Sequence, residues 1–222
     1  MRQRIIYLVL LFSLNFISKA QNMSAGKSDS ARYFSAMAPN VSMADTATAA
    51  GTLTLLANNF ERIAQAEKND WLSYYYAANC YFSLAALSEN KDIIDDYNDR
   101  AELNLSKADS LSKNNSEIYC LYYLLCYTRL KADPMGRYQK YFALGDEYLN
   151  MGKQADPGNP RLFLCQAQIV FHTPEAFGGG KKAAKILAEE AIRKYESFVP
   201  KSNLHPNWGK NNAQLLMKKL EN

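Results

Sequence analysis

ADPGNPRLFLCQAQI, residues 155–169, contains a turn followed directly by a helical pattern. The segment 156–160 holds two prolines, a glycine and cap-forming Asp and Asn side chains, which end one helix and begin another. Leu162, Cys165 and Ile169 are then spaced by three and four residues, so they share one face of a helix. The stretch therefore predicts a helix that begins near residue 160 and buries one side.

The same arrangement recurs along the chain at a nearly constant interval. Taking Trp71, Glu117, Arg161 and Trp208 as equivalent points gives separations of 46, 44 and 47 residues. We predict an all-α fold, a TPR-like α-solenoid of about four antiparallel helical hairpins with a period near 45 residues. The predicted hairpins are 32–66 with 71–88, 92–112 with 116–131, 135–155 with 160–171, and 181–198 with 208–220. A helical bundle without repeats is the alternative.

Pairs of small residues seven positions apart lie upstream of the later turns. They are Ala101 with Ala108, Gly145 with Gly152, and Ala184 with Ala191. Small residues two turns apart on one helical face allow a neighbouring helix to approach closely. These pairs predict the surfaces on which the hairpins pack.

The first twenty residues have the pattern of a secretory signal peptide. Arg2 and Arg4 precede an apolar run at 5–17, and small residues occupy the positions before a cleavage site at Ala20. We assign 1–20 to a signal peptide, 21–31 to a flexible linker and 32–222 to the repeat domain. The protein is predicted to be exported, periplasmic or secreted, without an integral membrane segment after cleavage; a retained anchor is the alternative.

The charge of the chain resides mostly in this leader, which holds three basic residues and no acid. The remaining chain is nearly neutral and therefore lacks the basic surface expected of a nucleic-acid-binding protein.

Cysteine and histidine allow few chemical roles. Four cysteines lie within predicted helices without metal-ligand spacing, which favours buried free thiols, with a Cys120–Cys165 disulfide as the alternative. Because the chain has only two histidines, His172 and His205, a site with several histidine ligands is excluded. We expect no metal site and no cofactor.

Three stretches resemble known families. FERIAQAEKNDWLSYYYAANCY at 60–81, ADPGNPR at 155–161 and TPEAFGGGKKA at 173–183 resemble small exported bacterial tetratricopeptide-repeat-like proteins. The third stretch is also similar to a TPR-type component associated with periplasmic TRAP transporters. The first resemblance implies a helical repeat fold without an established activity, and the second implies binding of a solute or a binding protein.

The segment 172–181 is the most unusual local feature and supplies most of the candidate binding residues. They are His172, Thr173, Phe177, Gly178, Gly179, Gly180 and Lys181. The segment is not a Walker loop, because Glu175 stands where that motif needs glycine and Lys182 follows Lys181. One interpretation is loop geometry alone, with Phe177 as a hydrophobic plug between repeats; the other is contact with a partner or a small anion.

Tyrosine-rich helices supply the remaining candidates, Tyr75, Tyr122 and Tyr123. They belong either to seams between helices or to a concave binding surface. Trp71 and Trp208 each begin a helix after a turn, so we expect them to anchor hairpin packing.

Catalytic constellations are missing from the sequence. Adjacent carboxylates such as Glu189 and Glu190 diverge by about 100° on a helix and do not converge on a substrate. We therefore predict a non-catalytic cell-envelope module that binds a protein or peptide partner. The alternative is a periplasmic solute-binding accessory of a transport system.

Overall fold

The computed structural model describes residues 30–221. Within that range it contains nine α-helices and a short 3₁₀ turn, and it contains no strand. The predicted signal peptide at 1–20 and most of the linker at 21–31 lie outside the described residues. The helices are α1 (30–44), α2 (Ala50–Ala66), α3 (Trp71–Leu87), α4 (Lys91–Leu111), α5 (Ser116–Ala132), α6 (Pro134–Ala155), α7 (Pro160–His172), α8 (Lys181–Ser197) and α9 (Lys210–Glu221).

The predicted all-α hairpin stack is confirmed, and its turns begin helices for the predicted reason. The side chain that precedes each of five helices, α3 to α7, accepts hydrogen bonds from backbone N–H groups of the first turn. These capping residues are Asp70, Asn90, Asn115, Asp133 and Asn159.

The segment 32–66, predicted as one arm of a hairpin, is two helices. Helix α1 ends in a turn at 45–46, and α2 starts at Ala50. Thr46 and Thr48 stand at this break, and β-branched residues lose rotamer freedom in a helix.

The pairing of helices agrees with the predicted hairpins only in part. The first predicted hairpin, α2 with α3, packs extensively. Beyond it, the extensive packing joins α3 with α4, α5 with α6, and α7 with α8, while α4 with α5 and α8 with α9 pack less and α6 and α7 make little contact. Each repeat therefore starts at a cap-containing turn and includes the two helices that follow it. Helices α3, α5, α7 and α9 contact one another in sequence and form an inner row.

Small residues explain this pairing. A Cβ atom at Gly145 of α6 would lie 3.5 Å from Cys126 and Tyr127 of α5. Ala184 and Ala191 of α8 are buried in one cluster with Leu164 of α7. The prediction that small pairs form packing surfaces is confirmed.

Trp71 and Trp208 both pack against Tyr75, and Trp208 joins the last repeat to the first. Trp71 packs edge-on against Tyr75, with ring centroids 5.6 Å apart, and the indole N–H of Trp208 donates to the Tyr75 hydroxyl over 2.9 Å. Their predicted role as packing anchors is confirmed. No helix between residues 30 and 221 is long and apolar enough to cross a bilayer.

Candidate functional site

An apolar cleft of about 740 Å³ opens where the start of α6 faces the end of α7. Its α5–α6 side and its α7 side are lined by Tyr127, Leu130, Pro134, Met135, Gly136, Tyr138, Gln139, Phe142, His172, Thr173, Pro174 and Phe177, which together we call the apolar cleft. Its size lies in the range of sites that bind small organic ligands.

A one-residue link shapes the first side of the cleft. Asp133 is the only residue between α5 and α6, and its side chain accepts a hydrogen bond from the Gly136 N–H over 3.1 Å. Pro134 follows at the first helical position, where its missing N–H has no cost. The corner projects Met135 into solvent, where it is 94% exposed.

The glycine loop shapes the second side. The 3₁₀ turn Glu175–Phe177 ends at Gly178, which has φ 79°, and Gly180 has φ 93°; both values favour glycine. The Gly179 N–H donates to the Pro174 carbonyl, and the Gly180 N–H donates to the Val170 carbonyl. Because these N–H groups are engaged within the loop, the loop folds back on α7 and does not offer them to an anion.

Aromatic rings dominate the surface of the cleft. Tyr138 and Phe142 are exposed and stacked, with ring centroids 5.2 Å apart and planes 24° apart. Phe177 is 73% exposed on the opposite side. An exposed apolar cluster of this kind makes the cleft a candidate binding site.

His172 is the last residue of α7 and supplies an imidazole at the cleft. The side chain is exposed, and its ring packs edge-on against Phe171 at 4.9 Å. Within the described residues, neither ring nitrogen of His172 forms a hydrogen bond. The imidazole is therefore available as a ligand.

The structure brings together three of the predicted site residues, His172, Thr173 and Phe177, in the apolar cleft. Gly178, Gly179 and Gly180 form the backbone turn behind them, and Lys181 begins α8 directly afterwards. The interpretation of Phe177 as a plug between repeats is wrong, because the turn before Gly178 directs its ring outward.

The three predicted tyrosines lie elsewhere. Tyr75 is fully buried, and burial raises the pKa of its hydroxyl. Tyr122 stacks on Tyr148 with ring centroids 4.6 Å apart, and Tyr123 is buried edge-on against Tyr127 of the cleft. Of the three, Tyr123 alone touches a residue that lines the cleft.

The cleft residues of α6 were not predicted from the sequence, although their spacing forms a recognisable pattern. Met135, Tyr138 and Phe142 begin an apolar stripe that continues through Gly145, Leu149 and Gly152 with spacings of three and four. Gly145, Leu149 and Gly152 are buried, whereas the first three stripe residues are exposed. The cleft is the part of the stripe that no helix covers.

A second cavity, of about 400 Å³, is polar and lies near the turns that precede α5 and α7. Lys113, Glu117, Asp156, Lys201 and His205 line it, among others. Burial, with the neighbouring Lys201 and Arg161 charges, lowers the pKa of His205 to about 4. Mixed charge at this cavity suits a small polar molecule and disfavours a large apolar one.

Metal coordination by protein side chains alone is not indicated. In the part of the chain that the structure describes, no group of three His, Cys, Asp or Glu residues is placed to hold an ion.

Comparison with solved structures identifies a similar protein. The chain is similar to the solved structure of the HusA haemophore from Porphyromonas gingivalis, with 34% sequence identity and a TM-score of 0.76. The match covers 85% of this chain and 92% of that chain. Neither a protein-family model nor a curated protein matches the chain, so the resemblances to TPR-like proteins and to TRAP-associated components stay predictions.

Proposed function

The chain belongs to the family of the HusA haemophore, and we propose that it is a non-catalytic protein that binds haem in the apolar cleft. A haemophore is a binding protein and not an enzyme, in keeping with the prediction of a non-catalytic protein. The proposal of haem as the ligand follows the predicted alternative, a solute-binding protein. It departs from the first prediction, a protein or peptide partner.

The observation that carries this proposal is an imidazole beside exposed, stacked aromatic rings. Haem is a flat apolar macrocycle whose iron takes an axial nitrogen, sulfur or oxygen ligand, most often from histidine. In the cleft His172 supplies the imidazole, while Tyr138 and Phe142 supply a flat aromatic face.

Other residues of the cleft fit the remaining parts of such a ligand. Met135 and Phe177 lie on opposite sides of the cleft, so both would lose exposed apolar surface to a bound macrocycle. Lys181 and Lys182 are exposed at the start of α8, immediately after the loop. Their ammonium groups would pair with the carboxylates at the haem edge.

The test is a titration of the mature chain with haemin, followed by visible absorption. We expect His172→Ala to weaken binding about tenfold or more and to change the absorption signature of the iron, because an axial ligand is lost. His205→Ala is the matched control: it removes the chain's other histidine, which lies in the polar cavity, and should leave both readouts unchanged.

A second pair of variants tests the aromatic face. Phe142→Ala should weaken haemin binding about fivefold or more, because a stacking contact is worth about 1 kcal/mol beyond its buried area. Exposed Leu103→Ala on α4 is the control for loss of apolar surface away from the cleft. Haemin affinity unchanged in both His172→Ala and Phe142→Ala would refute the site, and no haemin binding by the wild type would refute the function.

A further inference from the structure

Cys120 of α5 and Cys165 of α7 face each other in the core, with their Sγ atoms 3.7 Å apart. All four cysteines of the chain lie within the described residues and are buried as free thiols. This is the only contact between two of them. We propose that Cys120 and Cys165 form a disulfide bond in the exported protein.

The geometry requires only a small adjustment. A disulfide has a sulfur–sulfur distance of about 2.05 Å, so the two Sγ atoms must approach by about 1.7 Å. Both side chains project from neighbouring helices of the inner row, α5 and α7, which already contact each other. Rotation about the two Cα–Cβ bonds is the movement by which the Sγ atoms would approach each other.

The bond forms by exchange with an oxidised dithiol donor of the cell envelope. The thiolate of one cysteine attacks the donor's disulfide, which gives a mixed disulfide and frees one donor thiol. The second thiolate then attacks the bonded sulfur of the first cysteine and displaces the donor. The chain loses two electrons and two protons and gains one sulfur–sulfur bond, while the donor becomes a dithiol.

Oxidation must precede final packing. In the folded chain both thiols are buried, and the contact with Cys165 together with burial raises the pKa of the Cys120 thiol. A buried thiol with a raised pKa reacts slowly. The bond therefore forms during folding in an oxidising compartment, to which the predicted signal peptide at 1–20 would deliver the chain.

The bond would link the helices that carry the cleft. Tyr127 follows Cys120 by seven residues and His172 follows Cys165 by seven, so the backbone of each cleft residue lies two turns, about 10.5 Å, along its helix from the cysteine. The cross-link would hold the base of the cleft at a fixed width.

Thiol counting tests the proposal without haem, so its failure would leave the proposed function untouched. The full mature chain is unfolded and then refolded with oxidised and reduced glutathione. It is next alkylated in denaturant, and its intact mass is measured by mass spectrometry. We expect two alkylated cysteines, Cys80 and Cys126, and a linked peptide pair that contains Cys120 and Cys165. Four alkylated cysteines would overturn the proposal.

Thermal unfolding provides the second readout. The two cysteines are 45 positions apart, and closing a loop of that length raises Tm by about 10 °C in the chain-entropy model. Reduction should therefore lower the Tm of the wild type and of Cys80→Ala, and should leave that of Cys120→Ala unchanged. Equal Tm values for oxidised and reduced wild type would count against the bond.

Discussion

Replacing Glu117 by Gln removes one charge from the most deeply buried ion pair in the described residues. The Arg161 Nε–H donates to Glu117 Oε2 over 2.6 Å, and a second bond joins Arg161 Nη2 to Glu117 Oε1. Arg161 is 0% exposed, so after the substitution its guanidinium has no solvent to replace the lost counterion. Stacking on Phe198, at 4.5 Å, compensates only in part.

The expected loss in the free energy of unfolding is about 3 to 5 kcal/mol, the usual cost of an uncompensated buried charge. With a urea m-value of about 2 to 3 kcal/mol per molar, the unfolding midpoint should fall by about 1 to 2.5 M, measured by far-ultraviolet circular dichroism. An exposed ion pair supplies the control: Arg193, 65% exposed and paired with Glu190, should tolerate Met without a change in midpoint.

Removal of Arg161, the other partner of the ion pair, should change how the stability of the protein depends on pH. Burial raises the pKa of Glu117, and Arg161 opposes that rise. In Arg161→Met the charge that lowers the pKa of Glu117 is absent, so Glu117 takes up a proton on folding. A raised folded pKa stabilises the protein below the unfolded pKa, and this contribution is lost as pH rises. The variant should therefore lose more stability relative to wild type at pH 8 than at pH 5. Equal urea midpoints for Glu117→Gln and Arg193→Met would contradict the expected cost of leaving Arg161 unpaired.

Three further predictions concern His205 and the glycines. Because the pKa of His205 is lowered to about 4 in the folded protein, the unfolded chain binds a proton at this residue more readily. Stability should therefore fall as pH is lowered from 6.5 to 5. Urea midpoints should show a smaller fall for His205→Gln and an unchanged fall for His172→Gln. A Cβ atom at Gly152 would lie 2.8 Å from Leu162, so Gly152→Ala should lower Tm at a cost of about 1 to 3 kcal/mol, whereas Gly51→Ala, with no atom in reach, should not lower Tm in the same calorimeter. Gly180 has φ 93°, so alanine at this position should lower stability by about 1 to 2 kcal/mol and weaken haemin binding. An unchanged haemin titration would show that the loop does not shape the binding site.

The helix bounds followed from the sequence because their causes are local. Asp70, Asn90, Asn115 and Asn159 cap helices through bonds to N–H groups two or three residues away, and these spacings are visible in one dimension. The break between α1 and α2 was missed, since it leaves the apolar pattern of the segment intact. The pairing of helices was shifted because a turn shows where two helices meet in the chain but does not show which neighbour packs more closely.

The candidate site was predictable on one side only. The glycine loop with His172 and Phe177 has an unusual local composition, from which its residues were predicted as site candidates. Tyr138 and Phe142, in contrast, have the spacing of an ordinary buried stripe. Their exposure depends on the direction that α7 takes after its own turn, which no spacing within α6 encodes.

The sequence by itself determined an all-helical chain, the period near 45 residues, the turns that start its helices and the candidate residues at 172–181, because each depends on short-range periodicity and capping. Tertiary structure alone decided which stripe stays uncovered and that Arg161 meets Glu117. It also brought Cys120 to Cys165, a pair that the sequence had offered only as an alternative. These contacts join residues about 45 positions apart, and only the stacking of whole repeats brings such residues together.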